Sequence, residues 1–280
     1  MLQKEAIDVT RPGVHIATGS LHPLTMLLQE TAAIFRTLGF HAVLGPEVET
    51  EWYNFDALNI PEDHPARDLW DTFWVKNPDS GSRISKHVRK SQSQKLLLRT
   101  HTSPVQVRYL EKHQPPLRII VPGKVFRYEA TDASHDIEFM QLEGLMVGSN
   151  VGVADLRYVL DAFFSRLFKT QTSVRLRPSF FPFTEPSFEV DVVCVHCAGT
   201  GREAKQQRAS ACALCKGTGW LEIAGAGIVH PQVFRAAGLV PEHVGGFAFG
   251  MGLDRIAMTR YSIPDIRLFH SNDLRFLKQF

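Results

Sequence analysis

No apolar stretch of this chain approaches the roughly 18 residues that a membrane-spanning helix needs, and Met1 to Thr10 holds no apolar segment of the signal-peptide kind. The expectation is a cytoplasmic protein with no membrane partner. Nor does one sign of charge prevail: 31 Lys and Arg against 29 Asp and Glu leave a formal +2, so no global positive field marks a nucleic-acid partner. Any contact with RNA has to be local or shared with another chain. Neither GxGxxG nor GxxxxGK[ST] occurs, so a Rossmann or P-loop nucleotide site is unsupported. Long internal repeats and low-complexity tracts are also missing. Cysteine is scarce, and the four that exist all fall between 194 and 215, which argues for one metal site in a reducing compartment rather than scattered disulfides.

What is present suits an enzyme-sized globular unit: 280 residues, of which 44% are hydrophobic. Residues 1–20 carry little periodicity and read as an extended leader, with 21–280 as the main domain. Pro23 suits a first helical position, the apolar spacing from Leu24 to Leu38 is helical, and Gly39 is the stop. Ser103-Pro104 resembles an N-cap and N1 pair opening a helix to about Lys112. A third helix is expected from about Asp155 to Thr170. Segments 117–127, 138–148, 174–181, 188–193, 219–225 and 246–250 are rich in Val, Ile and Phe and read as strands. Strands in runs with few alternating helices imply an α+β fold, a mainly antiparallel sheet flanked by helices. Lys76 to Gln94 is rich in serine and basic residues. It reads as a solvated loop, with RNA or partner contact as the alternative.

Cys194-x2-Cys197 and Cys212-x2-Cys215 place two thiol pairs inside a short insertion, residues 193–219. Each pair runs into the same glycine pattern, Gly199-x-Gly201 and Gly217-x-Gly219, which permits the tight turns of a zinc knuckle. The two halves resemble the cysteine-rich domain of DnaJ. Four thiolates would close the tetrahedron around Zn2+ and leave no position for water, so the expected role is structural. His196 reads as a solvated neighbour. The basic residues beside the pairs read as a solvated surface, with tRNA or partner contact as the alternative.

Two further segments each offer an arginine to a polyphosphate. Arg127 closes the apolar run Ile119 to Phe126 within Phe126-Arg127-Tyr128-Glu129. Arg255 follows Gly246-Phe247-Ala248-Phe249-Gly250-Met251-Gly252-Leu253-Asp254, where glycines let a backbone approach a ligand. The pair resembles motifs 2 and 3 of the class II aminoacyl-tRNA synthetases. Further words narrow the resemblance to the alpha subunit of bacterial phenylalanyl-tRNA synthetase. Among them are Gly45-Pro46-Glu47-Val48-Glu49, Arg99-Thr100-His101-Thr102-Ser103, Phe181-Pro182-Phe183-Thr184-Glu185-Pro186 and Gly227-Ile228-Val229-His230-Pro231.

The resemblance implies a class II synthetase catalytic fold and a phenylalanine-tRNA ligase that uses ATP and Mg2+. By it, Arg127 would hold the α-phosphate and carboxylate and Arg255 the γ-phosphate. Glu129 and His135 would hold the nucleotide, and Phe139 would stack on adenine. Trp70, His101, Ser103, Gln141 and Glu143 would surround the ammonium and carboxylate of phenylalanine. Phe181 and Phe183, expected to alternate on one strand, would grip its ring, with Thr184 lining the slot and Ala248 closing its far end. Glu185 would hold magnesium together with a beta subunit, in a heterotetramer of two alpha and two beta chains acting on tRNA(Phe). Three features depart from the family pattern. The usual N-terminal helical arm has no counterpart before Gly19, the cysteine insertion is added, and Asp254 stands where glutamate is more frequent. Two rivals remain: a catalytically silent synthetase-like binding module, and an adenylating ligase of other specificity.

Overall fold

The computed structural model describes residues 10, 13, 19–63, 72–75, 95–202 and 210–280. The leader expected over 1–20 lies almost wholly outside the described residues, as do Trp70 and the basic segment from Lys76 to Gln94.

Helix α1 (Pro23–Thr37) begins as its proline predicts, with the His22 ring accepting the Leu24 N–H at 3.2 Å. Short strands β1 (His41–Ala42) and β2 (Val48–Thr50) follow, then the helical turn α2 (Glu51–Asn54), β3 (Trp74–Val75) and β4 (Leu96–Leu98). Helix α3 (Pro104–Leu110) leads to a long hairpin of β5 (Leu117–Phe126) and β6 (Glu138–Gly148). Helix α4 (Val153–Phe168) starts two residues before the expected Asp155, because the Asp155 carboxylate turns back to cap the Gly152 N–H at 2.9 Å. Then come β7 (Val174–Phe181), β8 (Thr184–Val193) and β9 (Trp220–Val229). After them lie α5 (Pro231–Ala236), β10 (Gly245–Gly252), α6 (Leu253–Tyr261) and α7 (Leu274–Leu277).

Seven strands form the main sheet in the order β1-β5-β6-β10-β9-β8-β7, and every neighbouring pair is antiparallel except β1 with β5. Strands β2, β4 and β3 make a separate antiparallel sheet. Side chains alternate across β10, and this sorts the core into two layers. Phe247, Phe249 and Met251 pack with α1, α4 and α6, whereas Ala248 joins the layer of α3, α5 and Leu58. Phe35 of α1 ties the first layer together, its ring stacked on Phe163 at 4.5 Å and on Phe249 at 5.6 Å. No helix among the described residues is long and apolar enough to cross a membrane.

Candidate active site

A cavity of about 400 Å³ opens on the sheet where β6, β8, β9 and β10 run side by side. His101, Ser103, Arg127, Gln141, Glu143, Phe181, Phe183, Thr184, Ala248 and Arg255 all line it. Residues from positions 101 to 255 thus converge because the strand order brings β6 against β10, with Glu143 opposite Gly250 and Gln141 opposite Gly252. Gly250 leaves the necessary room, since a Cβ there would sit 3.0 Å from the Gln141 amide nitrogen and 3.4 Å from the Glu143 carboxylate.

Glu143 is the polar centre. It is 3% exposed and accepts from Ser103 Oγ at 2.8 Å, Gln141 Nε2 at 3.2 Å, Thr102 Oγ1 at 3.4 Å and the Gln106 amide. Burial pushes its pKa from the usual 4.5 up to about 7, against the pull of these donors. The expected Ser103 cap is absent: the residue has helical backbone angles, and its hydroxyl serves Glu143 instead. Gln106, one turn further along α3, was not singled out from the sequence, although its spacing from Ser103 puts both on one helix face. His101 is driven down to about 3 by burial, with Arg127 adding to the effect, so it is neutral. Its Nε2 lies 3.1 Å from the Asn54 carbonyl, which can only accept, so that nitrogen carries the proton.

Phe183 does not alternate with Phe181 along a strand. A bulge after Ser179 ends β7 at Phe181, and Phe183 lies in the turn before Thr184. Their rings still meet, 6.0 Å apart and 13° from parallel, and Phe183 lies 6.3 Å from the His101 ring. Ala248, 3% exposed, belongs to the same lining.

At the cavity mouth Arg127 lies with its guanidinium 5.0 Å from the Phe139 ring centre and donates from Nε to the Thr100 carbonyl at 3.3 Å. Arg255 opens α6. Asp254 reaches across to β6, where its Oδ2 accepts the Met140 N–H at 2.6 Å, so the shorter acid spans the gap. Glu129, Phe139 and His135 lie outside the lining. Glu129 acts on Arg127 electrostatically, and His135 is tied to Asp132 at 3.0 Å. Glu185 is exposed beside His230, at 3.5 Å, in a neighbouring hollow that shares Phe181 and Thr184 with the cavity. Two acids unforeseen from the sequence line the mouth, Glu189 and Glu222. Burial raises the Glu189 pKa, and the negative charge of nearby Glu222 raises it further.

Away from the cavity, the four buried cysteine sulfurs lie within 4.8 Å of one another. Cys194 and Cys212 are separated by 3.9 Å, Cys197 and Cys215 by 3.7 Å. A disulfide needs about 2.05 Å. A tetrahedron with Zn–S bonds of about 2.3 Å has sulfurs roughly 3.8 Å apart, so the donor set fits zinc. The two turns interlock: a Cβ on Gly201 would strike the Gly217 carbonyl at 2.2 Å, and one on Gly219 the Gly199 carbonyl at 2.3 Å. The Gly201 and Gly219 N–H groups, both at positive φ, donate to the sulfurs of Cys197 and Cys215 at 3.2 Å. Burial holds the Cys194 thiol up at about 12, so a thiolate there calls for a cation.

A seven-stranded, largely antiparallel sheet carrying two arginines beside a cavity lined by paired phenylalanine rings and a buried glutamate fits a class II aminoacyl-tRNA synthetase core, and residues 6–280 match the family of tRNA synthetases class II core domain (F). The fold is shared with the crystal structure of pyrrolysyl-tRNA synthetase from Desulfitobacterium hafniense, at TM-score 0.58 and 18% identity over 89% of this chain and 74% of that one. The chain belongs to the phenylalanine-tRNA ligase alpha subunits. It is 53% identical to that of Trichlorobacter lovleyi and 52% to that of Pelobacter propionicus, in each case over 100% of this chain and 74% of the relative. The alpha subunit of Myxococcus xanthus is 50% identical over 100% of this chain and 75% of its own length.

Proposed function

We propose that the chain activates phenylalanine. The amino-acid carboxylate attacks the α-phosphate of ATP, pyrophosphate leaves, and the acyl group of the phenylalanyl-adenylate passes to the terminal adenosine of tRNA(Phe). One observation carries this reading: a single cavity has paired phenylalanine rings in its lining, buried Glu143 at its centre and Arg127 and Arg255 at its mouth. The rings suit a benzyl group, with Ala248 at the far end. Glu143, helped by Gln141, Ser103 and neutral His101, suits an ammonium. Trp70 is assigned to the same group by resemblance and lies outside the described residues.

Attack on phosphorus builds negative charge on phosphoryl oxygens, and guanidiniums fixed beforehand stabilise it without reorganising. Arg127, braced by Thr100 and Phe139, is assigned to the α-phosphate and carboxylate, and Arg255 to the γ-phosphate. Glu129, His135 and Phe139 are assigned to the nucleotide. No covalent enzyme intermediate is needed.

Magnesium would neutralise polyphosphate charge, and two acidic settings fit it by their donor chemistry. Glu185 is exposed and open to sharing with a beta subunit, while Glu189 and Glu222 both line the cavity and both pair with Arg177. The four cysteines would hold structural Zn2+, with 193–219 as an insertion in the catalytic domain. The beta subunit, in a tetramer of two alpha and two beta chains, is the proposed partner.

ATP/pyrophosphate exchange with a panel of amino acids tests the reading, with phenylalanine expected to be strongly preferred. No exchange with any amino acid would favour the silent module, and preference for another would favour a ligase of different specificity. Arg127→Ala and Arg255→Ala should each lower exchange by roughly two orders of magnitude or more, since each deletes a charge-assisted contact at the reacting polyphosphate. Near-parent exchange in either variant would remove that arginine from the clamp.

A further inference from the structure

Three neighbouring strands at the β7 end of the sheet bring five charged side chains together on one face. Arg175 pairs with Asp191 and Arg177 with Glu189 across β7 and β8, and Asp191 pairs with Glu222 across β8 and β9. Asp191 is the anchor, its side chain 3% exposed. Arg177 clasps it with Nε at 2.6 Å and Nη2 at 2.9 Å, while Arg175 holds it from Nε at 3.0 Å and Nη2 at 2.7 Å. Arg175 is itself seated 4.5 Å over the Trp220 ring. The forked contact sets the plane of the Arg177 guanidinium, and its Nη2 then reaches Glu222 Oε2 at 2.8 Å and Glu189 Oε2 at 3.7 Å. Arg177 does not itself line the cavity, whereas the two glutamates do.

Side-by-side carboxylates repel and splay unless something holds them. A lysine would supply the charge, but only a planar fork can grip Asp191, still donate a hydrogen to Glu222 and keep its charge beside Glu189. At formal charges the two arginines leave the three acids with one net negative charge, so the group still attracts a cation. We propose that Arg177 is a positioning residue for adenylate formation: locked on Asp191, it keeps Glu189 and Glu222 assembled at the cavity mouth, ready for the divalent cation that accompanies ATP. The proposal rests on the reading of these glutamates as a cation site.

The test uses the full chain purified with its partner subunit, as parent, Arg177→Met and Glu222→Gln. Mn2+ binding is measured by electron paramagnetic resonance with a non-hydrolysable ATP analogue, alongside the Mg2+ dependence of pyrophosphate exchange. Arg177→Met should raise the Mn2+ Kd and the Mg2+ midpoint roughly tenfold, the usual effect of losing a group that orients metal ligands. The KM for phenylalanine should stay within about twofold of the parent, because that pocket does not contain Arg177. Glu222→Gln should weaken Mn2+ binding at least as much. If Glu222→Gln leaves Mn2+ binding unchanged, the cation site itself falls. If it weakens binding while Arg177→Met does not, or Arg177→Met binds Mn2+ more tightly, the site stands and the role of Arg177 is overturned. An equal rise in the KM for phenylalanine would mean general damage and would also overturn it. Should Arg177→Met not fold, Arg177→Lys keeps the charge without the fork and is expected to show the same rise in Kd.

Discussion

Glu143 sits where burial and hydrogen bonding act in opposite directions, and burial prevails. A carboxyl raised from 4.5 to about 7 binds more protons in the folded than in the unfolded chain between those values. Its stabilising contribution is therefore complete below about pH 4.5 and disappears as pH rises through 7. Relative to Glu143→Gln, the parent should lose on the order of 3 kcal/mol or less between about pH 5 and pH 8. Urea unfolding of both proteins across that range checks this, and parallel profiles would mean that Glu143 is already ionised in the fold. Ala248 carries a second expectation. Ala248→Gly removes one methyl from the proposed ring end of the slot, and a methyl in an apolar pocket changes discrimination by roughly 1–3 kcal/mol. The variant should activate para-chlorophenylalanine markedly better than the parent, with phenylalanine little changed. Tyrosine should gain less, because its hydroxyl would lack a partner between two phenyl rings. An unchanged ratio in pyrophosphate exchange would detach Ala248 from the ring.

The hairpin of β8 and β9 illustrates how an element divides its duties along its length. One end carries Thr184 and Glu189 to the cavity, and the other is closed by the cysteine turns, where the Cys194 N–H donates to the Gly219 carbonyl at 2.9 Å. Metal binding at a closed site stabilises local structure rather than chemistry. One zinc per chain is expected by elemental analysis of protein prepared without chelator. Cys194→Ser should loosen the turns, seen as faster local hydrogen exchange, while the KM for phenylalanine stays near that of the parent. Absence of stoichiometric metal, or a collapse of phenylalanine binding in the variant, would contradict this. The spacing of the four cysteines showed the cluster directly, because its sulfurs come from two nearby turns. The acid pair was not visible in the same way, since Glu189 and Glu222 are 33 positions apart and meet only through the register of β8 on β9.

Taken as one body, the chain spans about three quarters of the length of the alpha subunits it matches. It also keeps apolar residues uncovered around the family word Gly45-Pro46-Glu47-Val48-Glu49. Leu44, Val48, Trp52, Trp74 and Val75 are all exposed there, on and beside the small sheet of β2, β4 and β3. Behind them Glu49 is buried and gripped by Arg108 at 2.7 Å through two bonds, so the patch rests on a stiff support. A rigid apolar patch of this kind suits a protein partner. Purified without a beta subunit, the chain should self-associate or show poor aminoacylation, and co-expression should restore both behaviour and activity. Light scattering with a charging assay decides, and full, stable aminoacylation by the lone chain would contradict the expectation.

Local order was written plainly in the amino-acid sequence. Proline and glycine set the limits of α1, β-branched and aromatic runs set β5 to β10, and paired cysteines with glycines set the knuckle turns. Each depends on neighbours a few positions away. The family words also identified most of the cavity lining, from His101 to Ala248. Tertiary structure decided what depends on contacts between distant segments. It assigned the Ser103 hydroxyl to Glu143 rather than to a cap, moved Phe183 into a turn while keeping its ring against Phe181, and drew Asp254 onto Met140. It also set Arg177 behind two glutamates from other strands. A hydroxyl, a ring or a charge chooses its partner by distance and burial, and sheet register, not sequence spacing, determines both.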